Sequence, residues 1–312
     1  MSMPNATILN ATHHAIGEYS VSGTTNQVPF CQVQATVKYG SDDTLNFALW
    51  LPDKSLYSSR FMAVGNGGFA GTINEADMLI ELNNGLGLAV AGGDGGHQGA
   101  STGTPGARVP FLHDEDQVEA WAHNAISLFT PASRAVIKTY YSRGPRFSYF
   151  RGCSGGGQQA FSLAEFHSGL FDGIIAGCAS NWFTGLTLSF LWNQQQTAVS
   201  PPSPPAFVWD LVGAYWNCVL TVHCVIQTPE TTLPDTLLAF MQARVIQECD
   251  LIDGVEDKLV ENPLACPFDI NSLACPPDSV ADNATCLSTT QLSAAKAIYK
   301  GAVRSDDPNI SL

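Results

Sequence analysis

Gly152-Cys153-Ser154-Gly155-Gly156 fits the pattern Gly-x-Ser-x-Gly. An apolar stretch at 147–150 precedes it and a helical pattern over about 156–166 follows. A serine between strand and helix, flanked by small residues, can be lifted on a strained turn above the end of a sheet. Its hydroxyl is then placed to attack an acyl carbonyl, and the amide of Gly155 to bind the developing oxyanion. The rival reading is a glycine-rich turn with an incidental serine; the strand–turn–helix context favours the nucleophile. A second oxyanion donor is expected from an earlier strand-to-loop junction. Gly65-Asn66-Gly67-Gly68, after the apolar run 60–64, offers unhindered amides at Gly67 or Gly68. No Lys or Arg accompanies these glycines, which argues against a phosphate cradle.

The elements that must hold these residues show as periodicity. Residues 30–51 alternate apolar and polar, with Val33, Ala35, Val37 and then Leu45, Phe47, Leu49, Leu51 on one face. That is the period of two half-buried strands joined by a turn at 40–43. The runs 60–64 and 86–91 read as buried strands feeding glycine-rich loops, the second being Gly92-Gly93-Asp94-Gly95-Gly96-His97. From 114 to 141 the pattern is helical, with Val118, Trp121, Ala122, Ala125 and Phe129 at three- and four-residue spacing. A further strand is expected over 171–176. Strands alternating with helices predict an α/β fold with a mostly parallel sheet. After about Ser180 the alternation stops; aromatics crowd together, a proline-rich segment at 200–207 follows, and then a cysteine-dense stretch. This predicts a core over 1–180 and a cap packed on it over 181–312, stapled where its own core is thin.

Length and charge narrow the classes of partner. The chain has 312 residues, 45% of them apolar and 13% charged, enough for one large α/β domain with an insertion or for two ordinary domains. Against 14 Lys and Arg stand 28 Asp and Glu, a formal charge of -14. That field repels phosphate backbones and anionic lipid, so neither nucleic acid nor membrane is expected as a partner. No apolar run reaches the roughly 18 residues needed to span a bilayer.

The nine cysteines bear on compartment. Six lie between 218 and 286, with no Cys-x-x-Cys and no histidine at zinc spacing from a cysteine pair. Clustered cysteines without metal spacing read as disulfides formed in an oxidising compartment. Asn-x-Ser/Thr sequons at Asn5, Asn10, Asn283 and Asn309 agree with a secreted glycoprotein. The N-terminal residues carry neither a basic nor an apolar leader segment, so the leader of a secreted protein is expected outside this sequence. An odd count leaves at least one cysteine without an internal partner. Cys31 has no evident partner, and Cys178, at an apolar strand end, reads as a free buried thiol.

Four segments taken in order carry a resemblance. They are Val64-Gly65-Asn66-Gly67-Gly68-Phe69-Ala70-Gly71, Asp94-Gly95-Gly96-His97-Gln98-Gly99, Gly152-Cys153-Ser154-Gly155-Gly156-Gly157 and Phe171-Asp172-Gly173-Ile174-Ile175-Ala176-Gly177. Together they resemble the tannase and feruloyl esterase family of fungal and bacterial carboxylic ester hydrolases, across nearly the whole chain. The resemblance implies an α/β-hydrolase fold with an inserted lid, and ester cleavage through a serine acyl-enzyme at Ser154. Its substrates would be gallate or hydroxycinnamate esters, small aromatic esters of tannins or plant cell walls. In the family a disulfide ties the cysteine before the serine to one after the catalytic histidine. Carried over, Cys153 would have its partner beyond residue 312, as would the catalytic Asp and His.

The histidines within the chain do not replace that base. His223-Cys224 imitates the expected dipeptide but falls inside the cap, where Cys218 paired with Cys224 is the simpler reading. His97 can line the mouth of the site or cap its turn, His167 lies on the wrong side of the nucleophile helix, and His113 reads as a solvated loop residue. A serine without a base is a weak nucleophile at neutral pH.

Cys249-Asp250-Leu251-Ile252-Asp253-Gly254-Val255-Glu256-Asp257-Lys258-Leu259 gathers carboxylates around a glycine turn, hard oxygen donors that suit Ca²⁺. Its spacing departs from the EF-hand. The resemblance implies a structural calcium site in the lid, with Asp250, Asp253 and Asp257 donating side chains and Val255 and Leu259 carbonyls. Cys249 and Cys266 would bracket it, with Cys275 and Cys286 the next staple. Trp182, Phe183, Phe190, Trp192, Trp209 and Trp216 are candidates to stack on an aromatic acid, or equally to form lid core. The alternatives kept open are a secreted, calcium-binding relative that binds phenolics or carbohydrate without turnover, and a hydrolase of another aromatic monoester.

Overall fold

The computed structural model describes residues 6–98, 110–197, 233–276 and 285–302. It separates into two units, Met1–Trp182 and Phe183–Leu312. The first unit is built on a seven-stranded sheet. β1 (Ala6–His14) is its outer strand; β2 (Ser20–Val21) and β3 (Thr24–Thr25) form a small separate hairpin; β4 (Phe30–Tyr39) and β5 (Asp43–Pro52) are the alternating strands. β6 (Arg60–Val64), α1 (Glu75–Asn83) and β7 (Leu88–Gly93) follow. Then come α2 (Glu115–Glu119), α3 (Ala125–Tyr141), β8 (Phe147–Cys153), α4 (Gly155–Phe166) and β9 (Gly173–Gly177).

The strand order is β1-β4-β5-β7-β6-β8-β9. β4 pairs antiparallel with both β1 and β5, and β5 runs antiparallel to β7. The site-bearing strands β7, β6, β8 and β9 are all parallel, so their C-terminal ends, and the loops after them, share one edge. Ligands in α/β sheets bind at that edge.

Both faces of the central strands are buried. Leu45, Phe47, Leu49, Phe61, Ala63 and Phe150 pack with Ile126, Phe129 and Ile137 of α3 and Ala160 and Leu163 of α4. On the other face Trp50, Met62, Val64 and Val90 pack with Met78, Leu79 and Leu82 of α1. This explains why 60–64 and 86–91 read as continuous apolar runs rather than alternations.

In the second unit α5 (Phe183–Thr197), α6 (Asp235–Cys249) and α7 (Thr289–Lys300) are the described helices. α7 opens on a capping box between Ser288 and Gln291. The described core is small: Leu237, Met241, Leu273, Leu287 and Ala295. Two disulfides, Cys249 to Cys266 and Cys275 to Cys286, close loops beside it. Cross-links offset a thin core by restricting the unfolded chain.

Candidate active site

β8 runs directly into α4 through Ser154, whose backbone sits at φ 59° and ψ -117°. That is a conformation L-residues rarely adopt, and it turns the chain sharply enough to leave the Ser154 side chain exposed. The turn is held by Ser154 N–H donating to Gly177 O (3.1 Å) and by Gln158 N–H donating to Ser154 O (3.0 Å). It also needs glycines around it. A methyl group on Gly152 would fall 2.3 Å from Gly156 O, and one on Gly157 would fall 2.3 Å from Gly177 O. A methyl on Gly155 would meet Gly68 N at 2.9 Å and Gly68 O at 3.0 Å. The loop after β6 therefore lies against the first turn of the nucleophile helix, backbone on backbone. Of the predicted oxyanion donors, Gly68 thus lies against Gly155, and Gly67 is its neighbour in the chain. Among the described residues their amides donate to no other group.

One expectation about this turn is corrected. Cys153 is bonded to Cys178, 5.3 Å away between Cα atoms, and not to a cysteine beyond residue 312. Cys178 is accordingly not a free thiol. The reason is register: β8 and β9 run parallel with Cys153 opposite Gly177, so Cys178, the first residue past the end of β9, is within bridging reach. Cys31, half-buried, is the free cysteine among the described residues.

Three residues to which the sequence pattern assigns no role at the site hold the loop. Asn66 is buried; its Nδ2 donates to Gly93 O (2.7 Å) and Thr72 O (3.0 Å). Gln159 of α4, also buried, accepts from Asn66 N–H at Oε1 (3.0 Å) and donates from Nε2 to Asn66 Oδ1 (3.0 Å). Trp121 donates from Nε1 to Gly68 O (3.2 Å) and stacks on Phe69 with 5.1 Å between ring centroids. It lies on a π-helical segment, Ala120–Asn124, between α2 and α3. Such segments recur at functional sites. The available sequence signal was a polar Gln159 beside core-facing Ala160 and Leu163.

The loop after β7 carries two buried titratable groups. Asp94 accepts from Asn46 N–H and Nδ2–H at Oδ2 (3.1 and 2.7 Å) and from Gly96 N–H at Oδ1 (3.2 Å). Burial pushes its carboxyl up to about 6, with those hydrogen bonds opposing the rise. His97 stacks on Phe111 at 3.8 Å, and among the described residues neither ring nitrogen has a hydrogen-bond partner. Burial lowers its pKa to about 4, which makes it a poor base near neutrality.

None of the described histidines is hydrogen-bonded to Ser154. His13 pairs with Asp53, His14 with Gln32, His123 with Ser162 and His167 with Asn124. His223, Cys218, Cys224, Trp209 and Trp216 lie outside the described residues. Of the other aromatic candidates, Trp182 and Phe190 are exposed, whereas Trp192 donates from Nε1 to Ala297 O (3.0 Å) within its own unit.

In the acidic loop Gly254 and Lys258 take positive φ and curl the chain. Its carboxylates bond their own backbone: Asp250 accepts from Lys258 N–H (2.7 Å), Asp253 from Val255 N–H (2.9 Å) and Asp257 from Leu259 N–H (3.0 Å). Among the described residues the one trio of carboxylates within 4.8 Å of one another is Asp43, Asp114 and Asp116, in the first unit. That trio is engaged locally, with Asp114 capping α2 and Asp116 accepting from Ser41 N–H (2.9 Å).

Known proteins share both the sequence and the fold. The chain is 29% identical over 307 residues to an uncharacterized esterase of Xanthomonas campestris pv. campestris, covering 97% of this chain and 46% of that protein. It is 27% identical over 280 residues to a probable feruloyl esterase B-1 of Aspergillus flavus, covering 89% and 46%. The crystal structure of feruloyl esterase B from Aspergillus oryzae superposes with a TM-score of 0.74 at 24% identity, covering 98% of this chain and 56% of that one. A tannin acyl hydrolase from Aspergillus niger gives 0.65 at 20%, covering 97% and 53%. These likenesses establish an α/β-hydrolase fold. The chain spans about half the length of the curated relatives it matches. The family model described as tannase and feruloyl esterase matches residues 31–218 and 203–309. A match reaching through both units makes the chain a member of the tannase and feruloyl esterase family.

Proposed function

We propose that this chain carries the nucleophile and oxyanion hole of a carboxylic ester hydrolase that works through a serine acyl-enzyme. The observation that carries the reading is the exposed Ser154 on its strained turn, next to the open amides of Gly155, Gly67 and Gly68. Ser154 Oγ attacks the ester carbonyl, and the amides take the charge that develops on the carbonyl oxygen. The alcohol leaves, and water then releases the acid from Ser154. The proton taken from Oγ requires a base, which we assign, with its orienting carboxylate, to residues outside those described. Relatives named feruloyl esterase and tannin acyl hydrolase support phenolic esters, hydroxycinnamate or gallate, as the substrate class. The sequons and disulfides support action outside the cell.

The test is labelling by a fluorophosphonate, with the modified peptide identified by mass spectrometry, beside turnover of methyl ferulate and methyl gallate. In protein that includes this base and its carboxylate, label on Ser154 and hydrolysis of either ester are expected. A folded protein that takes no label and turns over neither ester would favour a non-catalytic binder of phenolics.

We further propose that the loop from Asp250 to Leu259 binds Ca²⁺. The donor chemistry fits, since each of Asp250, Asp253 and Asp257 uses one oxygen on a backbone amide and retains another. The three carboxylates must draw closer than they stand, so the ion would order the loop as well as neutralise it. Melting with a chelator is expected to fall by several degrees and to recover with Ca²⁺. A melting temperature indifferent to both would remove the calcium assignment.

A further inference from the structure

We infer that Gln159 is a positioning residue, the clamp that sets the oxyanion loop over Ser154; this rests on the esterase reading above. Gln159 lies on α4 five residues past the nucleophile and has no chemistry of its own, since its amide neither ionises nor attacks. It spends both ends of its side chain on one residue. Oε1 accepts from Asn66 N–H and Nε2 donates to Asn66 Oδ1, each at 3.0 Å. Both side chains are buried, with 6% and 3% exposure, where an unmatched amide costs about 1–3 kcal/mol. Such a cost is accepted where it fixes a geometry.

The orientation of the pair is determined. Asn66 Nδ2 faces two carbonyls, Gly93 O and Thr72 O, so its oxygen must face Gln159. Gln159 must therefore present its nitrogen to that oxygen and its own oxygen to the Asn66 amide. Asn66 immediately precedes Gly67 and Gly68, whose peptides must point at the developing oxyanion. Trp121 holds the far side of Gly68 through its carbonyl. The loop is thus tied to β7 by Asn66, to the π-helical segment by Trp121, and to the nucleophile helix by Gln159 alone among side chains of α4. If that last tie is cut, the donors lose their reference to Ser154. Donor placement within a few tenths of an ångström decides how much an oxyanion hole contributes.

The test uses two variants of the whole chain. In Gln159→Leu, kcat on methyl ferulate or methyl gallate is expected to fall about 10- to 100-fold, with KM changed less than about twofold. Hydrogen exchange of the Asn66 amide should speed up at least about tenfold, while amides in β6 and the later turns of α4 keep their protection. In Gln159→Glu the carboxylate accepts from Asn66 N–H but repels Asn66 Oδ1, and only its protonated form donates there. Its activity relative to the native protein should therefore rise as pH falls, a profile Gln159→Leu does not share. Unchanged kcat with unchanged exchange at Asn66 would overturn the inference. So would a loss of activity matched by exchange speeding up throughout β6 and α4, since Gln159 would then serve only the core. If native protein that includes the base hydrolyses neither ester, the esterase reading fails by itself, and exchange at Asn66 still decides whether Gln159 holds the loop.

Discussion

Ser154→Gly is expected to be more stable than Ser154→Ala by about 1 kcal/mol, although both lose ester turnover by a factor on the order of 10⁴ or more. The activity loss is common to the two because each removes the Oγ that forms the acyl bond. The stability difference isolates the backbone. At φ 59° and ψ -117° a Cβ crowds its own peptide units, a strain of about 1–3 kcal/mol that alanine retains and glycine escapes. Glycine returns up to about 1 kcal/mol of that gain through the greater freedom of the unfolded chain. Denaturant melts of the two variants, with their residual rates on methyl ferulate, check both halves of the prediction. Equal stability would mean that the turn at Ser154 is unstrained. A relaxed turn would not present Oγ clear of the sheet.

Gly152→Ala is expected to cost roughly 3 kcal/mol or more, lowering the melting temperature by about 10 °C, and to remove activity with it. The new methyl would lie 2.3 Å from Gly156 O, 2.4 Å from Gly156 C and 2.7 Å from its Cα. All three are backbone atoms of the first helical turn, so no rotamer change relieves the clash. α4 must shift away from β8, and Ser154, which joins them, must move. Gly144→Ala is the control: nothing lies within 4 Å of the added methyl, and a change within about 0.5 kcal/mol is expected. If Gly152→Ala melts with the control, the close approach of β8 and α4 does not constrain the nucleophile.

Much of the site was readable from residue types because its requirements are steric. Glycines at 152, 155 and 156 around a serine state in sequence that backbones must touch there. The apolar runs at 60–64 and 147–150 state which strands end at those loops. What escaped were features whose cause is tertiary. β1 was not anticipated because seven of its nine residues are exposed, and its pairing to β4 comes from edge hydrogen bonds rather than a buried face. α1 was missed because residues after the glycine loop show a weak periodicity; Asn74 caps it and the Met78, Leu79 and Leu82 face completes it. The bond between Cys153 and Cys178 depends on strand register, which no spacing of cysteines encodes. Gln159 and Asn66 are ordinary polar residues until the loop and the helix are brought face to face.

The pairing of β6 with β8 sets when this site can exist. Residue 60 lies opposite residue 147, with a helix, β7 and the whole of α3 between them in the chain. The antiparallel strands β1, β4 and β5 join neighbours and can form early, since short loops close at little entropic cost. The oxyanion loop ends β6 and the elbow ends β8, so neither is in place until the long loop between them has closed. Reactivity toward a serine label would then return with the final cooperative step of refolding, making the active site a late reporter of the native state.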